Sequence, residues 1–113
     1  MVCVVDCGVI VNPDTVIAQT QSGINFGLTA AMYSEITIKG GRVQQSNFHD
    51  YPMLRINDAP VIDIELVQSS APHGGIGEPG TSLLLAAFVN AIHAATGKRL
   101  YTLPAKADDL RQG

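Results

Sequence analysis

The stretch Gly74-Gly75-Ile76-Gly77-Glu78-Pro79-Gly80, followed directly by the apolar residues 81–96, is the part of the sequence that most constrains the fold. Glycine lets the backbone come close to a bound group. The residue before a proline is disfavoured in the helical region, so we expect Glu78 to be extended and a helix to begin near Thr81 or Ser82. A carboxylate on such a loop suits a general base, and it equally suits a favourable charge near a helix N-terminus. The local sequence leaves both interpretations open.

The same glycines also satisfy the G-x-G-x-x-G pattern of dinucleotide-binding loops. Two features argue against that interpretation. Glu78 lies inside the loop, where its charge would repel a pyrophosphate. About 20 residues further on, where such folds carry an acid, the sequence has Lys98 and Arg99. The sequence therefore disfavours a nucleotide-binding domain.

Composition limits the size and the surroundings of the fold. With 113 residues the chain has room for a single domain, residues 1–113, with one modest core. A net charge of −3 gives no indication of a nucleic-acid or anionic membrane partner. Charged residues make up only 15%, against a usual value of about 25%, and mean hydropathy is +0.19. A small domain with so few charges is expected to cover part of its surface with other protein, as a piece of something larger or as a tight oligomer.

The order of elements predicts an α+β fold with a small, mainly antiparallel sheet, two packed helices and the sequence β-α-β-β-β-α. Gly40-Gly41 is a strong two-residue hairpin signal between residues 35–39 and 42–46. The predicted elements are a buried strand over 2–11, a helix from Asp14 to about Ser34, the hairpin, an alternating strand over 61–67, and a helix over 81–96 with an apolar stripe at Leu84, Phe88, Ala91, Ile92 and Ala95, capped by Gly97.

The first predicted helix combines small and polar residues in an unusual way. Gly23 and Gly27 each cost about 1 kcal/mol relative to alanine inside a helix, but they allow very close approach of a neighbour. Gln19, Gln21 and Asn25 lie beside them. Most glutamines within helices are solvated, whereas one that is buried beside small residues needs a hydrogen-bonding partner, which a polar ligand supplies.

The cysteines and histidines do not form a recognisable metal-binding pattern. On one extended strand Cys3 and Cys7 would lie about 13 Å apart, too far for a disulfide, and we expect them to be small buried thiols. His49, His73 and His93 are scattered without ligand spacing. We therefore assign no residue of this chain as a metal ligand.

An ordered set of motifs resembles a known family of enzymes. The chain is similar to the C-terminal part of the molybdenum-binding large subunit of the xanthine dehydrogenase/aldehyde oxidase family, and most similar to its isoquinoline 1-oxidoreductase beta-subunit branch. The motifs are collinear over nearly all of the chain: Val5-Asp6-Cys7-Gly8 with Asn12-Pro13-Asp14, then Gln19, then residues 46–52, Gly75-Ile76-Gly77-Glu78-Pro79-Gly80, residues 90–99 and Leu103-Pro104.

The resemblance implies a role for four residues. In the family the glutamate of the glycine-rich loop is the catalytic base, which corresponds to Glu78, and the glutamine after the Asn-Pro turn contacts the pterin, which corresponds to Gln19. The glycines before the glutamate, here Gly75 and Gly77, let the loop lie beside the metal centre. The cofactor implied is a molybdopterin, in bacteria usually the cytosine dinucleotide form.

The resemblance also implies a reaction and partners. Family members hydroxylate aldehydes or N-heterocycles with water as the oxygen source, and their electrons leave through a small [2Fe-2S] subunit or domain. The remainder of the large subunit is then an obligatory partner, and we expect the chain alone to bind no cofactor and to be inactive. A non-catalytic assembly or oligomerisation module and a nucleotide-binding domain stay as alternatives.

Overall fold

The computed structural model describes residues 1–111. The predicted α+β class and the predicted order β-α-β-β-β-α are confirmed, and a short C-terminal helix that was not predicted follows. The elements are β1 (Val2–Val5), α1 (Pro13–Tyr33), β2 (Ile38–Lys39), β3 (Arg42–Val43), β4 (Asp63–Leu66), α2 (Pro79–Thr96) and α3 (Ala107–Arg111).

The strands form one antiparallel and one parallel pair. Strands β2 and β3 make the hairpin predicted at Gly40-Gly41, where both glycines have positive φ, 58° and 74°. Strands β1 and β4 pair in parallel, with Val2 opposite Asp63 and Val5 opposite Leu66. The parallel pair brings the N-terminal strand beside the strand that leads into the glycine-rich loop.

Strand β1 is shorter than the run over residues 2–11 that the sequence predicted. It ends at Val5 because a tight turn follows, in which the backbone N–H of Gly8 donates to Asp6 Oδ1 over 3.0 Å. Gly8 has φ +74°, and a Cβ at this position would overlap the Pro72 carbonyl oxygen. The turn therefore packs the end of β1 directly against the segment that precedes the glycine-rich loop.

Helix α1 begins as its sequence indicates. Asn12 is the N-cap and its Oδ1 accepts from Thr15 N over 3.1 Å, while Pro13 occupies the first turn. The expected close approach of a neighbour is confirmed: a Cβ on Gly27 would lie 2.8 Å from the carbonyl oxygen of Thr81, in α2. The two helices cross at a distance that larger side chains would not permit.

Helix α2 begins at Pro79, two residues before the predicted start, and the expectation that Glu78 is extended was wrong. Glu78 has φ −119° and ψ −15°, which is helical backbone. Its carbonyl accepts from the backbone N–H of Thr81 at 2.9 Å and of Ser82 at 3.3 Å. These first-turn hydrogen bonds outweigh the preference of a residue that precedes proline. Gly97 ends the helix as predicted, with φ 73° and a bond to the His93 carbonyl.

The core is small and lies where α1 meets α2. Ile24, Leu28 and Leu84 are buried together, and Phe88 packs against them. The predicted apolar stripe of α2 is only partly covered, because Ala91 and Ala95 are exposed beyond this contact. No helix among residues 1–111 is long and apolar enough to cross a membrane. Large apolar side chains remain exposed elsewhere, among them Val2, Val4, Val11, Phe26, Ile56 and Leu83.

Candidate active site

The glycine-rich loop connects β4 to α2 and is held at its first residue. The backbone N–H of Gly74 donates to the Cys7 carbonyl over 2.9 Å, and Val9 N donates to the Ala71 carbonyl over 3.0 Å. In each bond one partner, Cys7 or Val9, lies in the turn after β1, and the other lies at the start of the loop or just before it. The sequence analysis did not predict that this turn supports the loop. The feature that indicates it is Gly8, a glycine that interrupts an apolar run.

The structure brings two of the predicted site residues together. Gln19, half-buried on α1, donates from Nε2 to the Gly77 carbonyl over 2.7 Å. A carbonyl only accepts, so this contact fixes which end of the side-chain amide faces the loop. The Gln19 Oε1 has no hydrogen-bond donor among residues 1–111. The nitrogen of the Gln19 amide therefore binds the loop backbone, and its oxygen remains available as a hydrogen-bond acceptor.

Glu78 carries a carboxylate that the rest of the described chain does not engage. The residue is exposed at the N-cap of α2, and its side chain makes no capping hydrogen bond. It also forms no ion pair within residues 1–111, where the ion pairs involve other acids. A charge at this position interacts favourably with the N-terminal end of the helix dipole. Its side-chain oxygens stay available to a group outside the chain.

Gly75 and Gly77 are not required by anything inside the described chain. A Cβ on either would meet no atom within 4 Å, and neither has a positive φ. Gly80 is different, because a Cβ there would lie 3.0 Å from the Thr20 carbonyl oxygen of α1. Gly80 is explained by the helix crossing, whereas Gly75 and Gly77 keep an open face.

The other polar residues of α1 have separate roles. Gln21 donates from Nε2 to the Ile62 carbonyl over 3.3 Å, which ties α1 to the segment before β4. Asn25 Oδ1 is buried and has no hydrogen-bond partner in the part of the chain that the structure describes. Cys7 is buried and Cys3 half-buried, both as free thiols. Within residues 1–111 no three or more His, Cys, Asp or Glu side chains cluster as metal ligands would.

A groove borders the loop. It has a volume of about 330 Å³, lies between β1, α1 and the start of α2, and includes Gly75, Ile76 and Gly80 in its lining. Its rim is apolar, with Val2 68% and Leu83 71% exposed. Glu78 does not line this groove, although Ile76 and Pro79 on either side of it do. An apolar groove of this kind encloses a bound group or another polypeptide segment.

Comparison with known proteins places the chain in a family. The profile described as "Molybdopterin cofactor-binding domain" matches residues 1–60. The chain is 40% identical over 102 residues to the isoquinoline 1-oxidoreductase subunit beta of Brevundimonas diminuta, covering 90% of this chain and 13% of that protein. It is 34% identical over 106 residues to a putative xanthine dehydrogenase molybdenum-binding subunit of Escherichia coli, covering 88% and 14%. The chain belongs to the molybdopterin cofactor-binding family of molybdenum-enzyme large subunits.

A solved structure supports the same assignment. Quinoline 2-oxidoreductase from Pseudomonas putida superimposes with a TM-score of 0.81 and 26% identity, covering 91% of this chain and 14% of that one. The chain thus spans about one seventh of the length of the relatives it matches. It corresponds to a part of the large subunit, and the predicted family resemblance is confirmed.

Proposed function

We propose that this chain supplies the catalytic base, Glu78, and a pterin contact, Gln19, to a molybdenum-dependent oxidoreductase that hydroxylates aldehydes or N-heterocycles with water as the oxygen source. One observation carries the proposal: a hydrogen bond of 2.7 Å joins Gln19 to the carbonyl of Gly77, the residue directly before Glu78, at an exposed position. The names of relatives that act on isoquinoline and quinoline support the substrate class.

The residues present fit a pterin cofactor. Gly75 and Gly77 offer backbone that no Cβ shields, and an added Cβ on either would meet no atom of residues 1–111 within 4 Å. Gln19 offers an unused acceptor, which suits the N–H groups along the edge of a pterin ring. When bound, the molybdenum cofactor takes up the electrons of the oxidation. We propose the cytosine dinucleotide form, on the strength of the resemblance to bacterial members of the family.

The role proposed for Glu78 is proton transfer. Its carboxylate is exposed and unpaired within residues 1–111, so it accepts a proton without first breaking an ion pair. The open glycines beside it remove the side chains that would otherwise hold the loop away from a reacting group. Pro79 has a fixed φ angle, and the carboxylate of Glu78 lies directly before it, at the start of α2.

The test is Glu78→Gln in the complete enzyme that contains this chain. Glutamine keeps the size and removes the base, so turnover should fall by at least about 100-fold, while the molybdenum content measured by elemental analysis stays unchanged. Asp50→Asn is the matched control, because it also neutralises a carboxylate but lies on a different loop, and it should keep turnover. Unchanged turnover in the Glu78 variant would refute the assignment.

The partners proposed are the remainder of the large subunit and a small [2Fe-2S] subunit. The exposed apolar groove between β1 and α2 fits a surface that the remainder of the large subunit covers. One loop and one helix do not enclose a pterin dinucleotide, so the purified 113-residue chain should carry no molybdenum above background and show no hydroxylase activity. Near-stoichiometric molybdenum in that preparation would contradict this prediction.

A second candidate function is a non-catalytic assembly module. The exposed apolar side chains on the groove favour it, because a surface of this kind pairs with itself or with another subunit. In that case Glu78 is only a favourable charge at the start of α2. The Glu78→Gln experiment separates the two candidates, since an assembly module loses no turnover.

A further inference from the structure

Three residues of α1 form one continuous stripe toward the loop and α2. Gln19, Gly23 and Gly27 are spaced four apart and share one face of the helix. Gly27 and Gly23 are in close contact with the first turns of α2, and a Cβ on Gly23 would lie 3.3 Å from Thr81 Oγ1. One turn earlier, Gln19 reaches the loop itself through Gly77. This face of α1 therefore contacts both the first turns of α2 and Gly77, the residue before Glu78.

The backbone of Glu78 is held on both sides by this stripe. On one side the Gly77 carbonyl accepts from Gln19. On the other, the Glu78 carbonyl accepts from Thr81 N, and Thr81 Oγ1 donates to the Gly23 carbonyl over 3.0 Å. The Glu78 carboxylate has no hydrogen-bond or ion-pair partner within residues 1–111, so the position of its backbone sets the region that the carboxylate can reach.

Without Gln19 the loop would lose the one side-chain hydrogen bond from α1 that it has among residues 1–111. The preceding anchor is the bond from Gly74 N to the Cys7 carbonyl, three residues from Gly77. Between these points an added Cβ on Gly75 would meet no atom of residues 1–111 within 4 Å, so no side chain packs on that face of the residue. A glycine without such packing leaves the backbone many conformations.

We infer that Gln19 is a positioning residue for Glu78, which it holds through the Gly77 carbonyl in addition to any contact with cofactor. The inference rests on the proposed function for its meaning, because a misplacement of about 1 Å of a catalytic group can cost about 100-fold in rate. Gln19 thereby links the cofactor contact and the base in one side chain. Its Nε2 donates to the loop backbone, and its Oε1 is the atom proposed to accept from the cofactor.

The experiment measures ¹⁵N backbone order parameters of Gly77 and Glu78 in the full 113-residue chain without cofactor. In the unmodified chain both should be near 0.85, the value of rigid backbone, and in Gln19→Met they should fall below about 0.6. Gln19→Glu should behave like Gln19→Met at neutral pH, since it keeps the shape and lacks the donor. Strands β1 and β4 should keep their order parameters in both variants.

Gln21→Met is the matched control. Gln21 is on the same helix and also donates to a backbone carbonyl, but that carbonyl belongs to Ile62. Its loss should leave the Gly77 and Glu78 values unchanged. Equal loosening of the loop in the Gln19 and Gln21 variants, unchanged order in the Gln19 variants, or loss of the whole fold in both would overturn the inference. Because no cofactor or turnover is involved, failure of the Glu78→Gln test leaves this measurement unaffected.

Discussion

Two loops of this molecule each carry a carboxylate, and they use it in opposite ways. Asp50 accepts from the backbone N–H groups of Ser46 and Asn47 and from the Ser46 hydroxyl, over 2.9–3.0 Å. Glu78 accepts no hydrogen bond with its side chain among residues 1–111. The Asp50 carboxylate orders its own loop, whereas the loop of Glu78 is ordered by Gln19 from outside. A carboxylate that is not needed to hold its own loop is free to act on something else.

The two loops also differ in how they are tied to α1. The Asp50 loop is joined to the end of the helix by the Tyr51 hydroxyl, which donates to Ser34 Oγ over 2.7 Å. The Glu78 loop is joined near the start of the helix by Gln19. The first loop closes on itself through Asp50, and the second depends on contacts between residues 58 positions apart. The site is therefore a property of the helix pair rather than of the loop sequence alone.

The largest effect on stability is expected from the helix crossing. In Gly27→Ala the added Cβ would lie 2.8 Å from the Thr81 carbonyl oxygen and 2.9 Å from Leu84 Cδ2, so the free energy of unfolding should fall by about 1–3 kcal/mol. Gly77→Ala, where a Cβ meets open space, should change it by less than about 0.5 kcal/mol. Urea denaturation of both variants measures the difference. Equal losses would show that the loop glycine is also a packing residue.

The smaller effect is expected in acid and distinguishes the two carboxylates directly. Hydrogen bonds from the Asn47 and Ser46 backbone N–H groups lower the pKa of Asp50 from 3.8 to about 2. A group whose pKa is lowered by folding contributes stability above its unfolded pKa, and that contribution is lost as the pH falls through its folded pKa. Asp50→Asn should therefore flatten the loss of stability between about pH 4 and pH 2. Urea unfolding at several pH values measures this.

Glu78→Gln is the comparison for that experiment. Its carboxylate accepts no hydrogen bond within the described residues, so at pH 7 Glu78→Gln should change the free energy of unfolding less than Asp50→Asn does. A larger loss in Glu78→Gln than in Asp50→Asn would reverse the roles assigned to the two loops.

Local sequence signals determined most of the elements. Asn12-Pro13 marked the start of α1, Gly40-Gly41 the hairpin, and Gly97 the end of α2, because each of these residues satisfies a requirement of its own backbone. The candidate site residues came from motif resemblance, and the local sequence alone left Glu78 open between a base and a helix-end charge. Their roles stay predictions.

What the sequence did not reveal depends on packing and hydrogen bonds that periodicity does not describe. The end of β1 at Val5 follows from the fit of Gly8 against Pro72, which is distant along the chain. The helical backbone of Glu78 follows from hydrogen bonds that close the first turn of α2, against the local preference set by Pro79. Periodicity does not reach across the chain to Pro72, and it does not decide between two local preferences at Glu78.

The close crossing of the two helices has a consequence for how such an enzyme diversifies. Contacts made by Gly23 and Gly27 locate the start of α2 entirely within this chain. Under the proposed function, polypeptide elsewhere in the large subunit would line the substrate while the Glu78 carboxylate keeps its position. The residues that line the substrate would then vary without moving the proposed base, which agrees with the existence of relatives named for isoquinoline, quinoline and xanthine.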